Sequence, residues 1–429
     1  MNQGNDKKGI TRREFIKGVT VTAGAAALGS LSFPAILRAD TEPIKLGFSI
    51  SLTGRLSGPG KTVSRGYEFA VNWINDNLGG IEVNGQKRKV KLIIYDDESD
   101  AKRAAQLVEK LIVDEKVDLI LGPVSSGITY PTLPVVRRYN QVMIEGYGTA
   151  KEIYETFGGK EVFITIIASS HVNQSFFEMI KVMDLKPRPK NVAMFTDKGP
   201  WPQSVRAFTL ERDIPDAGLK VVVDETVPLG ITDLTPVISK AKAKGADVFC
   251  MNTHHETGML AVNQIYELNY NPKMVYHPYG GFTTKEFFDA VTWKCNYHYT
   301  PGPWNTTYAF SDPYFGSNQR FVEDYEKKYG FLPSRNEAIG AGCVIAALYA
   351  IQTAGTTEVE QVRKALQNMN VETVNGRMKF DSKGRALKQA GVVQRQGKEG
   401  EEYVTVYPPK LAGRKIVYPQ PTWKERGKI

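Results

Sequence analysis

An α/β fold built as two doubly wound parallel-sheet lobes is predicted by three features of the sequence. Short apolar runs alternate with helical patterns between residues 44 and 146. The same alternation restarts between residues 191 and 278. Strand–helix alternation of this kind gives a parallel sheet covered by helices on both faces. The chain of 429 residues also exceeds the ~250–300 residues at which a single core usually divides.

The N-terminus stands apart from the folded part. "TRREFIKG" pairs Arg12 and Arg13 ahead of Phe15, Ile16 and Lys17, a weakly apolar run follows to Pro34, and "LRA" ends at Ala39. A basic region, an apolar stretch and a small residue at a cleavage point read as a removable export signal over residues 1–39. The paired arginines fit the twin-arginine type. The alternative, an uncleaved anchor, would need ~20 apolar residues, and this run is short and glycine-rich. Residues 1–39 carry six Lys/Arg and two Asp/Glu, so the remaining 390 hold a net charge of +5 against +9 for the whole chain. That charge is interleaved, with no basic run suited to nucleic acid, which is therefore not expected as a partner.

The first alternating set contains "IKLGFSI", "VKLIIYDD", "VDLIL" and "VMIEGY" as strands. Between the second and third, "SDAKRAAQLVEKLIVDEK" places Ala104, Leu107, Val108, Leu111 and Ile112 on one helical face. "VDLIL" reads as a strand buried on both faces, and it stops abruptly at "GPVSSGITYP". Ser125 and Ser126 fall where a helix must begin. Hydroxyls and helix N-terminal N–H groups converge there, which suits a carboxylate; a serine that merely caps its helix is the alternative.

The second set is "NVAMFTD", "LKVVVDE", "ADVFCMN" and "KMVYHP". In doubly wound sheets the ligand lies beyond the carboxyl ends of the strands. Tyr147 to Thr149, Asp197 to Trp201 and Asn252 to His255 all occupy such ends. Trp201, between Pro200 and Pro202, is expected on a stiff loop facing the cleft. Past residue 300, "RNEAIGAGCVIAALYAIQTAG" is a helix bounded by Gly355, and "EVEQVRKALQNM" is another. The Pro- and aromatic-rich tail reads as a strand followed by a surface strap.

Several motifs imitate chemistry without its spacing. "GRLSGPGKT" puts five residues between Gly54 and Gly60-Lys61-Thr62, whereas a phosphate-binding loop has four. His254 and His255 are adjacent, and metal ligands on a helix need i, i+4 spacing to share a face. No G-x-S-x-G surrounds Ser125 or Ser126. Cys250, Cys295 and Cys343 are widely spaced, allowing at most one disulfide and no metal cluster. No catalytic residue, cofactor or metal is expected.

"SISLTGRLSGPG", "GYEFAVNWINDNLGGIEVNGQKRKVKLIIYDDESD", "LILGPVSS", "VMIEGYGTAKEI" and "ETVNGRMKFDSKGRALKQAGVVQRQ" follow one another in order. Together they resemble the leucine/isoleucine/valine-binding protein family, the solute receptors of ABC-type amino-acid importers. The resemblance spans roughly residues 43 to 400, strongest in the first half. It implies the type I periplasmic binding protein fold: two lobes joined by a three-strand hinge and closing over a ligand. Lobe 1 is then expected at 43–165 plus 303–375, and lobe 2 at 166–302 plus 376–429. Two cysteines that pair in some relatives correspond to Ser99 and Ser125.

By the same resemblance Ser126 and Thr149 hold a ligand carboxylate through hydroxyl and backbone N–H groups. Tyr147 supplies a backbone carbonyl, and Trp201 covers the ligand from the second lobe. His254 stands where a tyrosine is common. Tyr279 stands where amino-acid binders usually carry the acid that matches an ammonium. Those two departures favour an organic acid, aromatic included, over leucine and its relatives. Tyr276 and Trp304 lie near in sequence and are expected to add to an aromatic lining. The expected protein is a monomeric periplasmic receptor that delivers a small carboxylate-bearing ligand to an ABC permease in the inner membrane. A ligand sensor for a membrane kinase and an exported enzyme are the alternatives.

Overall fold

The structure, a computed structural model, describes residues 42–278, 282, 285–396 and 402–426. The expected export signal at 1–39 and the expected site residue Tyr279 lie outside the described residues. Lobe 1 is a five-stranded parallel sheet of β1 (Ile44–Ile50), β2 (Val90–Asp96), β3 (Leu119–Leu121), β4 (Met143–Glu145) and β5 (Val162–Ile164), in the order β2-β1-β3-β4-β5. Lobe 2 holds β6 (Asn191–Asp197), β7 (Lys220–Val227), β8 (Val248–Asn252), β9 (Met274–Tyr276) and β10 (Tyr299–Gly302). These strands are parallel and repeat that order as β7-β6-β8-β9-β10. Two antiparallel strands extend this sheet, β11 (Gly391–Gln396) on β10 and β12 (Glu402–Tyr407) on β11.

Each apolar run read from the sequence is one of these strands, and their burial explains the runs. β3, β4 and β5 are buried along their whole length because helices cover both faces. The helices that position the cleft are α1 (Ser57–Leu78), α2 (Ala101–Val113), α3 (Ser126–Arg138), α4 (Lys151–Thr156), α5 (Pro200–Phe208), α6 (His255–Glu267) and α7 (Arg335–Ala354). The false phosphate loop resolves here: α1 begins at Ser57, so Gly58 to Thr62 are already helical and form no cradle.

α7 is long and apolar enough to cross a membrane, yet it is buried as the core helix of lobe 1. Ser334 and Glu337 cap it reciprocally, and Gly355 ends it at φ 66°. α1 crosses it closely enough that a Cβ on Gly66 would stand 2.3 Å from the Glu337 carbonyl oxygen. Gly66→Ala is therefore expected to lower stability by about 1–3 kcal/mol by forcing the helices apart. The urea unfolding midpoint checks it.

The chain passes between the lobes after Ile164, between Gly302 and Trp304, and between Ala386 and Gly391. The first and third crossings are paired beside the hinge, Ile164 N donating to Gly384 O and Ala386 N to Ile164 O at 2.7 and 2.9 Å. The third crossing follows Ala386, beyond the expected 375/376 boundary. Met378, Phe380 and Ala386 all pack in the core of lobe 1, which holds this segment past the hairpin of Val371–Thr373 with Gly376–Met378. On the side away from the hinge the lobes touch, with Lys151 N donating to Ser204 Oγ at 3.0 Å. Cys250, Cys295 and Cys343 are free and buried.

Candidate functional site

In a 2-1-3-4-5 sheet the chain winds away in opposite directions from strand 1, leaving a crevice at the carboxyl ends of strands 1 and 3. Here those ends are β1 with β3 in lobe 1 and β6 with β8 in lobe 2, and they face each other. Between them is a cavity of about 50 Å³. Five of the six expected site residues line it: Ser126, Tyr147, Thr149, Trp201 and His254. The hinge closes its back with Ile166, Ile167, Pro301 and Pro303.

The abrupt end of β3 has a local cause. Glu145, fully buried at the end of β4, lies against Gly122, where any Cβ would meet its carboxylate at 2.4 Å. Its carboxylate accepts from Tyr147 N at 2.5 Å, Gly148 N at 2.7 Å and Thr129 Oγ1 at 2.8 Å. Those bonds fold residues 145–149 into the loop that carries Tyr147 and Thr149. Burial pushes the Glu145 carboxyl up to about 7, against the donors that favour its charge.

Ser125 takes φ 83° at the start of α3 and makes no capping bond with its side chain. A capping role is thus excluded for Ser125, and its hydroxyl lines the cavity. Ser126 Oγ accepts from Thr149 N at 3.0 Å and Ala150 N at 3.1 Å. A hydroxyl has two acceptor sites and one proton, so with both sites taken it can act on a ligand only as a donor. The Thr149 N–H, expected to reach the ligand, is engaged by Ser126. Beside them, the first turn of α3 brings helix N-terminal N–H groups that have no partner within the helix.

From lobe 2, Trp201 stands in the first turn of α5, with Pro200 at its head, and so on a helix instead of a loop. Proline is well placed there because the missing N–H has no helical partner. His254 precedes α6, and its Nδ1 lies 3.0 Å from Asp197 Oδ2, which also accepts from the His254 backbone N at 2.7 Å. The buried carboxylate therefore keeps a proton on Nδ1 and turns Nε2 outward. Tyr276 is not part of the lining: it stacks on Phe176 in the core and donates to Val172 O at 3.1 Å. Trp304 lies outside this cavity and donates to Asn318 Oδ1 at 2.9 Å.

Arg335 lines the cavity as well, and reading the sequence by motif passed over it. A signal was present, since a cation in the first turn of a helix opposes the macrodipole and needs another reason to be there. The site thus combines hydroxyl donors, a helix N-terminus, a guanidinium and an imidazole with apolar walls. It suits an anion of modest size attached to an apolar body.

A family model described as periplasmic binding protein matches residues 43–401. A Leu/Ile/Val-binding protein homolog 7 of Brucella abortus is 26% identical over 417 residues, covering 93% of this chain and 99% of that one. The isoleucine complex of the branched-chain amino acid substrate-binding protein LivJ from Streptococcus pneumoniae superposes with a TM-score of 0.72 at 22% identity, covering 85% of this chain and 99% of that one. A solute-binding protein of Rhodopseudomonas palustris in complex with benzoate superposes with a TM-score of 0.70 at 20% identity, covering 85% and 95%. With a two-lobed fold that superposes on these structures and a family-model match over residues 43–401, the chain belongs to the periplasmic binding protein family.

Proposed function

We propose that the protein is the receptor of an ABC importer and captures a small organic acid between its lobes. Membership of a periplasmic solute-binding family supports binding over catalysis. The observation that carries the choice of ligand is the Ser126 hydroxyl, restricted to donating, in one cavity with Arg335. Among the described residues lining that cavity there is no carboxylate, whereas a buried ammonium needs an anionic or carbonyl-rich partner. Glu145 is committed to its own loop and Asp197 to His254. Trp201 and Tyr147 offer aromatic faces to the body of the acid. The relatives' complexes with isoleucine and with benzoate share a carboxylate, which the Ser126 side of the cleft would take in either case. Export by the twin-arginine signal with cleavage near Ala39, a monomeric state and delivery to a membrane permease belong to the same proposal.

Isothermal titration with benzoate, hexanoate, leucine, isoleucine and valine tests it. Benzoate or hexanoate is expected to bind, and Ser126→Ala to weaken that binding about tenfold or more, since a hydrogen bond to a charged group contributes roughly 1.5–3 kcal/mol. Binding of the three amino acids with none of the simple acids would overturn the choice of ligand.

A further inference from the structure

A second cavity, of about 800 Å³, adjoins the first and shares Pro301 and Arg335 with it. It lies within the ~300–1,000 Å³ usual for small-molecule sites. Arg395 of β11, Phe288 and Tyr403 line it from lobe 2 and Trp304 and Arg65 from lobe 1, with the carboxylates of Glu286 and Glu337 also on its surface. Arg395 is 2% exposed. Its guanidinium carbon lies 3.8 Å from the centre of the Phe288 ring and 4.7 Å from that of Tyr403. It donates to the Tyr403 hydroxyl, which in turn donates to Phe282 O at 2.9 Å. Its Nε–H is buried with no hydrogen-bond partner.

Arg65 is matched differently, by Glu337 at 3.6 Å. Arg395 therefore brings to this cavity a buried positive charge with a donor left over. Ring faces favour the charge of a guanidinium but take none of its in-plane hydrogen bonds. An oxyanion in that plane would complete the site.

We propose that the ligand is a dicarboxylate, its first carboxylate held at Ser126 in the cleft and its second at Arg395 in the adjoining cavity, with Arg335 at the junction. This rests on the reading of the Ser126 cleft as a carboxylate seat and extends it to the far end of the molecule. Acids with one carboxylate would leave Arg395 as it is and bind less tightly.

Calorimetry with two matched pairs tests it, benzoate against terephthalate and hexanoate against adipate. The wild-type protein is expected to bind at least one dicarboxylate tenfold or more tightly than its monocarboxylate partner. In Arg395→Met that ratio should collapse to about one. Thr306→Glu places a negative charge in the same cavity without touching Arg395, and it should collapse the ratio too. If Arg395→Met loses its folded circular dichroism, Thr306→Glu decides alone. Monocarboxylates that bind while neither dicarboxylate gains, or a ratio that survives in the folded variants, would overturn this inference and leave the carboxylate seat standing. Failure of all four acids to bind would overturn both.

Discussion

Glu145→Ala is expected to abolish ligand binding and to cost about 3–5 kcal/mol of stability near pH 5. The carboxylate anchors Tyr147 N, Gly148 N and Thr129 Oγ1 in a fully buried site. Removing it strands the Tyr147 and Gly148 N–H groups at about 1–3 kcal/mol each, partly relieved if water enters, and opens a cavity beside them, while Thr129 Oγ1 keeps Ser125 O as an acceptor at 3.0 Å. The loop 145–149 then loses the shape that presents Tyr147 and Thr149, so calorimetry with benzoate or terephthalate should show no heat. The deficit should also depend on pH. Burial raises the folded carboxyl from its ordinary 4.5 to about 7, so between those values the folded chain holds a proton that the unfolded chain releases. Glu145 therefore contributes stability that is fully present below about 4.5 and is lost as the pH rises through 7. The difference between wild type and Glu145→Ala, read from urea midpoints, should shrink from pH 5 to pH 8. A difference that grows over that range would show the ionised form to be the one the fold prefers.

The second large effect runs the other way with pH and resides behind the cavity wall. His277 precedes Pro278, a lining residue, and its Nε2 lies 3.0 Å from His298 Nδ1. Arg426, 1% exposed, lies with Nη1 3.4 Å from His298 Nε2 and donates to the carbonyls of Pro421 and Asn296 at 2.9 and 3.2 Å. Nη1 also donates to Lys294 O at 3.3 Å, so the positive charge of Arg426 is held against His298 by backbone carbonyls. The two rings can share one hydrogen bond only if at least one of them keeps a bare nitrogen, and the guanidinium beside them disfavours a further charge. Burial pushes His277 from 6.5 down to about 3, and burial, His277 and Arg426 push His298 down as well. Their stabilisation is complete above about pH 6.5 and is lost as the pH falls toward 3, because the unfolded chain takes up the protons first. His277→Asn keeps an acceptor for His298 while removing that titration. Relative to this variant, the wild type is expected to lose roughly 2 kcal/mol between pH 7 and pH 5. Parallel stability curves for the two proteins would count against the neutral pair.

Fold and site were legible in the sequence to different depths. The eight apolar runs marked eight strands because a parallel sheet buried on both faces tolerates little else along a strand. The lobe boundary after residue 375 was harder to place, since the segment through Ala386 is held by packing with no periodicity of its own. Ser126, Tyr147, Thr149, Trp201 and His254 line the cavity because they follow strand ends, which the apolar runs mark, while their individual roles came from the resemblance. Glu145 and Asp197 were overlooked as organising groups, although an acid closing an apolar strand needs partners to stay buried. Arg335 and Arg395 could not be placed by motif at all. One heads a helix remote in sequence and the other sits inside a strand that returns from the far lobe, so only the three crossings bring them to the cleft.

The repeated strand order has a bearing on how such a protein can change over evolutionary time. Every residue that faces the cleft from a strand end lies in a segment whose conformation the neighbouring strands do not dictate. Substitutions there leave the registers of both sheets untouched, so mutations that alter selectivity need not endanger foldability. The two walls can also drift separately, because each is anchored to its own core. A chain of this design can exchange one cargo for another by small independent steps, and the positions with least freedom to vary are then the acids and glycines beneath the loops, not the side chains that touch what is carried.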